Sequence, residues 1–298
     1  MKICRFDDNR LGLVDGDTII DVTAAIDVLP ALRWSFPMGD PLILHWDAIL
    51  PAIEAAAPSG TRHKLDEVRL LSPIANPGKI IGIAGNRKNR HSEKLDFGPG
   101  VPVGTSRNDG DPARMFIKAN SALVGPSDGV ALRFLDRRND PEAEFTIIIG
   151  RTCTDITVAD ALDYIVGYCI GMDMTLRGAE SASSRKSIDG YAVLGPWMVT
   201  ADEIPDPDNI SIALSVNGES LQDSNTSDMM FGIAEVVAHA STFYTLHPGD
   251  VIMAGSPLGF EPVVPGDVMV ADFERVVGAH PDATAAAGTQ TRIDNLCF

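Results

Sequence analysis

The chain has 298 residues, of which 45% are hydrophobic and 22% are charged, and its formal net charge at pH 7 is −17. This length and balance are typical of a soluble globular protein with one large domain and a small companion. The acidic composition argues against a nucleic acid or an anionic membrane as a partner, because both bind basic surfaces. A small molecule is the expected partner.

The cysteines and the start of the chain indicate a compartment. The cysteines are scattered without C-x-x-C spacing, which favours buried thiols over a zinc cluster or a disulfide framework. The first residues lack the apolar core of a signal peptide, and no run approaches the roughly 18 apolar residues that span a bilayer. The sequence therefore predicts a cytoplasmic protein with no membrane contact. The four cysteines are Cys4, Cys153, Cys169 and Cys297.

The first part of the chain has the features of a small unit. A segment rich in Pro, Asn and Gly at 72–78 is typical of a boundary. We therefore predict a small N-terminal α/β domain over residues 1–75 and a second domain over residues 76–298. Apolar alternation and helical spacing predict, within the first unit, strands at 2–6, 18–22 and 68–71 and a helix at 43–57.

Strands predominate beyond this boundary. A buried strand at 79–86 precedes a polar stretch, and residues 96–113 are too rich in Gly, Pro and Asp to pack as a regular element. A loop of that length is often functional. Strands and helices do not alternate regularly, so a doubly wound nucleotide-binding fold is disfavoured and a strand-dominated α+β fold is predicted. The further predicted elements are strands at 113–118, 144–150, 165–173, 197–200, 210–216, 251–254 and 268–273, and helices at 158–164 and 229–242.

Three carboxylates lie beside the apolar runs of two predicted strands. Residues i and i+2 of a strand share one face, so Glu142 and Glu144 lie side by side next to residues that should be buried. Two like charges in that position need a cation. Asp173 ends a second apolar run and supplies a third oxygen ligand if the two strands are neighbours. Carboxylates without His or Cys ligands suit Mg²⁺ or Mn²⁺.

A simpler alternative places both glutamates on the solvent-exposed face of an amphipathic strand. The alternation after Glu144 gives one apolar face, but Ile148 extends the apolar surface onto the face that carries the glutamates. The strand is therefore expected to be covered on both sides, which favours the metal site. For Asp173 alone, the alternative is a turn or a cap.

The order of these segments resembles the fumarylacetoacetate hydrolase family over residues 79–275. Each segment is a weak signal, but ten in order are specific. The resemblance implies a mixed β-sandwich roll with a small N-terminal domain, usually a homodimer, and a divalent metal held by the E-x-E pair and the later Asp. The matching segments are Lys79-Ile80-Ile81-Gly82-Ile83, Phe116-Ile117-Lys118 with Ser121-Ala122-Leu123-Val124-Gly125-Pro126, Glu142-Ala143-Glu144, Asp173-Met174-Thr175-Leu176-Arg177, Lys186-Ser187-Ile188-Asp189, Leu194-Gly195-Pro196-Trp197, Val216-Asn217-Gly218-Glu219 with Gln222-Asp223, Leu246-His247-Pro248-Gly249-Asp250-Val251-Ile252, Gly255-Ser256-Pro257-Leu258-Gly259 and Pro265-Gly266-Asp267.

The resemblance also assigns site residues, position by position. The metal ligands of the family fall on Glu142, Glu144 and Asp173, and the lysine beside metal and substrate falls on Lys186. A lysine near three carboxylates keeps its charge and can hold the negative oxygen that develops when a carbonyl is attacked or enolised. The alternative for Lys186 is a surface lysine. Arg177 either clamps a substrate carboxylate in a bidentate way or forms an internal salt bridge.

Other positions depart from the family pattern. The family has a His and a Glu three residues apart on a short lid helix, where they orient and deprotonate water. The resemblance places them at His91 and Glu93, which are only two residues apart and would not face each other on a helix. Glu180 stands where the family has Gln. Ser256 keeps the second of the two hydroxyl side chains of a family loop, and the first is absent from this chain. We assign Glu180 and Ser256 to substrate binding and expect a substrate that differs from that of the best-known members.

Together these residues predict a metal-dependent hydrolase that cleaves a C–C bond in a β-diketone acid, such as an acylpyruvate or a 2,4-diketo sugar acid. The metal and Lys186 would stabilise the departing enolate, His91 oriented by Glu93 would take a proton from water, and the loop at 96–113 would close over the substrate. The alternatives are an oxaloacetate-type decarboxylase or a keto–enol or double-bond isomerase on the same site, and a non-catalytic metal-binding protein. The expected partners are a small anionic keto acid and a second copy of the chain.

Overall fold

The computed structural model describes residues 1–88, 114–274 and 289–295. The N-terminal elements are β1 (Lys2–Phe6), β2 (Arg10–Asp15), β3 (Thr18–Asp21), α1 (Pro41–Leu44), α2 (Trp46–Ala56), β4 (Arg62–Lys64) and β5 (Leu70–Leu71). The central elements are β6 (Ile80–Ala84), β7 (Arg114–Lys118), β8 (Leu123–Val124), β9 (Val130–Leu132), β10 (Asn139–Asp140), β11 (Ala143–Ile149), β12 (Ile165–Asp173), β13 (Thr175–Leu176), α3 (Ala182–Lys186) and β14 (Ala192–Thr200). The last elements are β15 (Ser211–Val216), β16 (Glu219–Asn225), α4 (Ile233–Phe243), β17 (Val251–Met253), β18 (Val268–Phe273) and β19 (Thr289–Asn295).

One mixed sheet organises the described residues. Its order is β4-β3-β2-β1-β14-β12-β11-β17-β6-β7, with β5 beside β1 and β8 beside β14. The central strands β14, β12 and β11 are antiparallel, whereas β17 and β6 run parallel. A second sheet has the order β16-β15-β18-β19-β9, and β10 pairs with β13. The prediction of a strand-dominated fold is confirmed.

The apolar core joins the two sheets. All seven residues of β11 are buried, as its apolar sequence predicts. Phe145 of β11 stacks on Tyr168 of β12 with ring centroids 4.9 Å apart, and its ring lies 6.4 Å from that of Phe273, which belongs to the second sheet. Aromatic rings contribute strongly to such a core because each buries a large apolar area. A shift of β11 by one residue would turn Phe145 to the opposite face of the sheet, so this packing fixes the position of the glutamates at the start of the strand.

The strands of residues 1–75 extend the same main sheet. β1 pairs antiparallel with β14, with Lys2 opposite Val199 and Ile3 opposite Met198. A continuous sheet therefore crosses the expected boundary, and the division into domains at about residue 75 stays a prediction.

Several predicted elements have the observed bounds, and others differ for local reasons. The strands predicted at 2–6, 165–173 and 268–273 are confirmed at both ends. The α-helix predicted at 158–164 is wrong, because only the 3₁₀ turn Ala161–Tyr164 forms before β12 begins. There the backbone hydrogen bonds join residues three apart, from the Asp160 N–H to the Thr157 carbonyl at 3.2 Å and from the Ala161 N–H to the Val158 carbonyl at 3.3 Å, which is the 3₁₀ pattern.

Two other predicted helices have different bounds in the structure. The segment predicted as one helix at 43–57 is two helices, α1 and α2, which meet at His45. The helix predicted from residue 229 begins at Ile233, whose N–H donates to the Asp208 carboxylate at 2.7 Å. The N–H of Gly232 donates to Glu235 at 2.9 Å. These carboxylates satisfy N–H groups that a helix start leaves free. No described helix is long and apolar enough to cross a membrane.

Substitution of Gly171 by Ala is expected to destabilise the centre of the main sheet. An added Cβ would lie 2.2 Å from the Thr146 hydroxyl oxygen on the neighbouring strand and 3.2 Å from a carbon of Met253. Overpacking of this kind costs about 1–3 kcal/mol. Urea unfolding of Gly171→Ala should show a lower midpoint than the wild type. In the double variant with Thr146→Ala, part of the loss should return, and a Gly171→Ala midpoint equal to that of the wild type would contradict the close contact.

Candidate active site

The pairing of two strands brings the three predicted carboxylates together. β11 and β12 are antiparallel neighbours, with Ala143 opposite Met172, and the Asp173 N–H donates to the Glu142 carbonyl at 2.8 Å. Glu142, Glu144 and Asp173 are all buried, and one carboxylate oxygen of each lies within 4.8 Å of the others. The condition set by the sequence, that the two strands be neighbours, is therefore met.

Lys186 lies between two of these carboxylates. It ends α3, and its Nζ donates to Glu142 at 2.9 Å, to Asp173 at 2.5 Å and to the Thr175 hydroxyl at 2.5 Å. Burial alone would lower the pKa of Lys186, but the carboxylate charges outweigh it and raise this pKa above its usual value. The ammonium group is therefore charged and buried, so the surface-lysine alternative is excluded.

Arg177 is also turned inward. Its Nε donates to Asp140 at 2.6 Å, and one terminal nitrogen donates to Glu142 at 2.9 Å. Arg138 donates to the other oxygen of Asp140 at 2.7 Å. These contacts are those of the internal salt bridge, the second alternative for Arg177. Its assignment to substrate binding stays a prediction.

Glu180 and Ser256 have different surroundings. Glu180 is half-exposed, and Arg137 donates to both of its oxygens, at 3.0 and 2.8 Å. The Arg137 guanidinium lowers the pKa of Glu180 to about 2. Ser256 is buried and accepts from Gln222 at 3.1 Å, while the amide oxygen of Gln222 accepts from the Ala143 N–H that begins β11. The substrate-binding roles of Glu180 and Ser256 stay predictions. His91, Glu93 and the segment 96–113 lie outside the described residues.

The electrostatics of the carboxylates favour a cation. Burial, followed by the negative charges of Asp173 and Glu142, raises the pKa of Glu144 to about 8, against the opposing effects of Lys186 and of the Gly255 N–H. A carboxylate that resists ionisation beside two others is a site at which a divalent ion removes the repulsion. Three buried carboxylates without nitrogen or sulfur ligands fit a hard ion such as Mg²⁺ or Mn²⁺, which they would hold together with water or substrate oxygens.

Mn²⁺ binding at pH 7 is expected to release about one proton, because a carboxylate must be ionised to act as a ligand. Glu144 has a raised pKa, so it is protonated below about pH 8 when metal is absent. Metal affinity should therefore rise with pH up to that value and then level off. Calorimetric titration in two buffers of different ionisation enthalpy measures the released protons. Asp272 of the second sheet is a half-buried residue whose pKa is also raised by burial. The control variant Asp272→Asn should release the same number of protons on Mn²⁺ binding as the wild type. Binding without proton release would contradict the prediction.

Two family models match the chain. The family model described as fumarylacetoacetate (FAA) hydrolase C-terminal matches residues 79–282. The chain belongs to the fumarylacetoacetate hydrolase family. A second family model, described as Rv2993c-like N-terminal, matches residues 1–73.

Two relatives in the fumarylacetoacetate hydrolase family carry the same named activity. Maleylpyruvate hydrolase of Aquipseudomonas alcaligenes is 50% identical over 277 residues, which cover 93% of this chain and 96% of that protein. The crystal structure of maleylpyruvate hydrolase from Sphingobium sp. SYK-6 matches with a TM-score of 0.80 at 34% identity and covers 99% of this chain and 100% of that one. A second structure of that protein, with the same TM-score and identity, contains manganese(II) and pyruvate. The predicted family and fold are confirmed.

One basic residue of this fumarylacetoacetate hydrolase fold had no predicted role. Lys118 ends β7, is fully buried and donates to Asp173. Burial lowers the pKa of Lys118, and the Asp173 charge opposes that effect. The sequence contained one signal for this contact, a lysine that directly follows the apolar residues Met115 to Ile117 of a strand. A lysine without a partner is usually exposed to solvent. A lysine in such a position indicates a buried carboxylate partner.

Proposed function

We propose that this chain hydrolyses a C–C bond of an acylpyruvate in a divalent-metal-dependent reaction, with maleylpyruvate as the first substrate to test. The observation that carries the proposal is the set of three buried carboxylates with Lys186 hydrogen-bonded to two of them. The two relatives named maleylpyruvate hydrolase, and the manganese in the structure of one of them, support it. Mg²⁺ or Mn²⁺ as the ion, a homodimer and a cytoplasmic location belong to the same proposal.

The charge balance of the site supports an anionic substrate. With Glu144 ionised, as metal binding requires, the four buried carboxylates of the described residues are matched by the four cations that form ion pairs with three of them, so this set is close to neutral. A divalent ion would add two positive charges, and a buried site needs compensating negative charge. An acylpyruvate, with its carboxylate and the negative charge that develops during cleavage, provides it. The members of the set are Asp140, Glu142, Glu144, Asp173, Lys118, Lys186, Arg138 and Arg177.

The reaction adds water across the bond between the acyl carbonyl carbon and the methylene carbon. Water adds to the acyl carbonyl, the C–C bond breaks, and its electron pair passes to the methylene carbon, so pyruvate leaves as its enolate and takes up a proton. When bound, the divalent ion supplies Lewis acidity. Lys186 remains protonated beside its carboxylates and can stabilise the oxygen that becomes negative. Thr175 and Asp173 fix its orientation. His91 is the predicted base that takes the proton from water.

Turnover of a substrate panel tests the proposal. Maleylpyruvate and oxaloacetate are incubated with the protein and Mn²⁺, Mg²⁺ or a chelator, and the products are identified. The expected result is metal-dependent formation of maleate and pyruvate in equal amounts, with strong loss in His91→Ala and none in the matched variant His239→Ala. Oxaloacetate decarboxylation without cleavage of maleylpyruvate would contradict the hydrolase and leave the lyase alternative. Light scattering measures the homodimer independently.

A further inference from the structure

Two consecutive residues that follow β6 hold the loop that touches Glu144. Asn86 Nδ2 donates to the Ala254 carbonyl at 2.9 Å, and one terminal nitrogen of Arg87 donates to the Gly255 carbonyl at 3.2 Å. Both side chains are buried. The carbonyl groups before and after the Gly255 α-carbon are therefore both held by hydrogen bonds from these two consecutive residues.

The peptide between Ala254 and Gly255 makes the contact with the metal site. Its oxygen accepts from Asn86, and its N–H donates to Glu144 at 2.8 Å. Gly255 has φ of +112°, which favours glycine, and an added Cβ would lie 2.8 Å from the Cβ of Asn86. The direction of this N–H thus depends on the side chains that hold the two adjacent carbonyls.

The same two side chains are anchored elsewhere. The other terminal nitrogen of Arg87 donates to the Asn225 carbonyl at 2.7 Å, at the end of β16. Asn86 donates to the Phe231 carbonyl at 3.0 Å and accepts from the Phe231 N–H at 2.8 Å. Burial lowers the pKa of Arg87 to about 10, and the charge of Glu144 acts in the opposite direction. The guanidinium is therefore charged at neutral pH and interacts electrostatically with Glu144.

We propose that Arg87 is a positioning residue for the metal ligand Glu144 and acts through the Gly255 backbone, with Asn86 holding the adjacent carbonyl. The inference rests on the metal site of the proposed function, in which Glu144 is a ligand. Arg87 affects this ligand in two ways with opposite consequences. A nearby cation repels a divalent ion, so its removal alone would strengthen metal binding. Loss of the oriented N–H would instead weaken it, because groups that orient a ligand typically contribute about 10- to 100-fold in metal affinity.

The sign of the change in Mn²⁺ affinity therefore tests the proposal. Mn²⁺ is titrated into the wild type, Arg87→Met and Lys88→Met, where Lys88 is an adjacent exposed cation that donates to the Ser227 carbonyl at 2.8 Å. We expect Arg87→Met to bind Mn²⁺ about 10- to 100-fold more weakly and Lys88→Met to bind it like the wild type. Unchanged or tighter binding by Arg87→Met overturns the proposal, whatever its thermal stability.

Arg87→Lys gives a second criterion, which also applies if Arg87→Met does not fold. Lysine keeps the charge but lacks the planar fork that reaches two carbonyls at once. We expect its Mn²⁺ affinity to lie between those of the wild type and Arg87→Met, and wild-type affinity would overturn the proposal. A wild type that binds no Mn²⁺ would contradict the metal site and the proposed function together, whereas wild-type-like variants contradict only the role of Arg87.

Discussion

Asp173→Asn is expected to lower turnover of maleylpyruvate by about 10³-fold or more, because the metal supplies several kcal/mol of transition-state stabilisation. Asp173 is fully buried, ends β12 beside Glu142 and accepts from both Lys118 and Lys186. The amide keeps the shape of the side chain but loses its charge and one acceptor oxygen. Mn²⁺ affinity should fall more than about 100-fold, since even groups that only orient a ligand contribute 10- to 100-fold.

The comparison is made by Mn²⁺ titration and by steady-state kinetics at saturating metal. Asp272→Asn is the matched control, because it makes the same change at a half-buried carboxyl of β18 in the second sheet. It should retain wild-type metal affinity and kcat. Asp173→Asn will also be less stable, because two buried ammonium groups lose a partner, so folding is verified by circular dichroism. A folded variant with wild-type Mn²⁺ affinity would contradict Asp173 as a ligand.

Lys186→Met is expected to separate metal binding from catalysis. Removal of a donor that stabilises developing negative charge typically lowers kcat by about 10²–10³-fold. The same substitution leaves Glu142 and Asp173 without the ammonium group that they share. Mn²⁺ should therefore bind at least as tightly as in the wild type, and it should raise the Tm of the variant more than that of the wild type.

Lys79→Met is the matched control for this variant. Lys79 is partly buried and pairs with the buried carboxylate of Asp250 at 2.7 Å, as Lys186 does with its own partners. The control should lose stability and keep kcat. If Lys186→Met keeps kcat within a few-fold of the wild type, the lysine does not stabilise the reaction. If it loses metal binding together with kcat, its role is to hold the carboxylates in place.

The parts of the fold that the sequence predicts are those determined by short-range patterns. The apolar run that ends at Asp173 gives β12 its observed bounds, and the covered E-x-E strand is β11. The pairing of these two strands was only a condition of the predicted metal site, and the structure shows it. The prediction of an α-helix at 158–164 is wrong because seven residues are too few for helical spacing to secure an α-helix, and backbone hydrogen bonds between residues three apart form instead.

The parts of the site that the sequence does not predict depend on contacts between distant segments. Lys118 reaches Asp173 because the end of β7 lies beside the end of α3, where the Ala119 N–H donates to the Ser187 hydroxyl at 2.8 Å. Arg177 has two plausible partners in any sequence-based interpretation, and only the positions of Asp140 and Glu142 select the internal one. Glu180 is likewise bound by Arg137, a residue 43 positions away along the chain.

The pairing of β1 with β14 has a practical consequence for a shortened protein that begins at residue 79, where the match to the fumarylacetoacetate hydrolase family model begins. All nine residues of β14 are buried, and β1 covers it at Met198 and Val199. Without the N-terminal segment, that part of an apolar strand would become a free sheet edge, which is a template for intermolecular strand addition and aggregation. The N-terminal strand β1 thus protects an edge of the main sheet from intermolecular pairing. A shortened protein would need another segment to cover that edge.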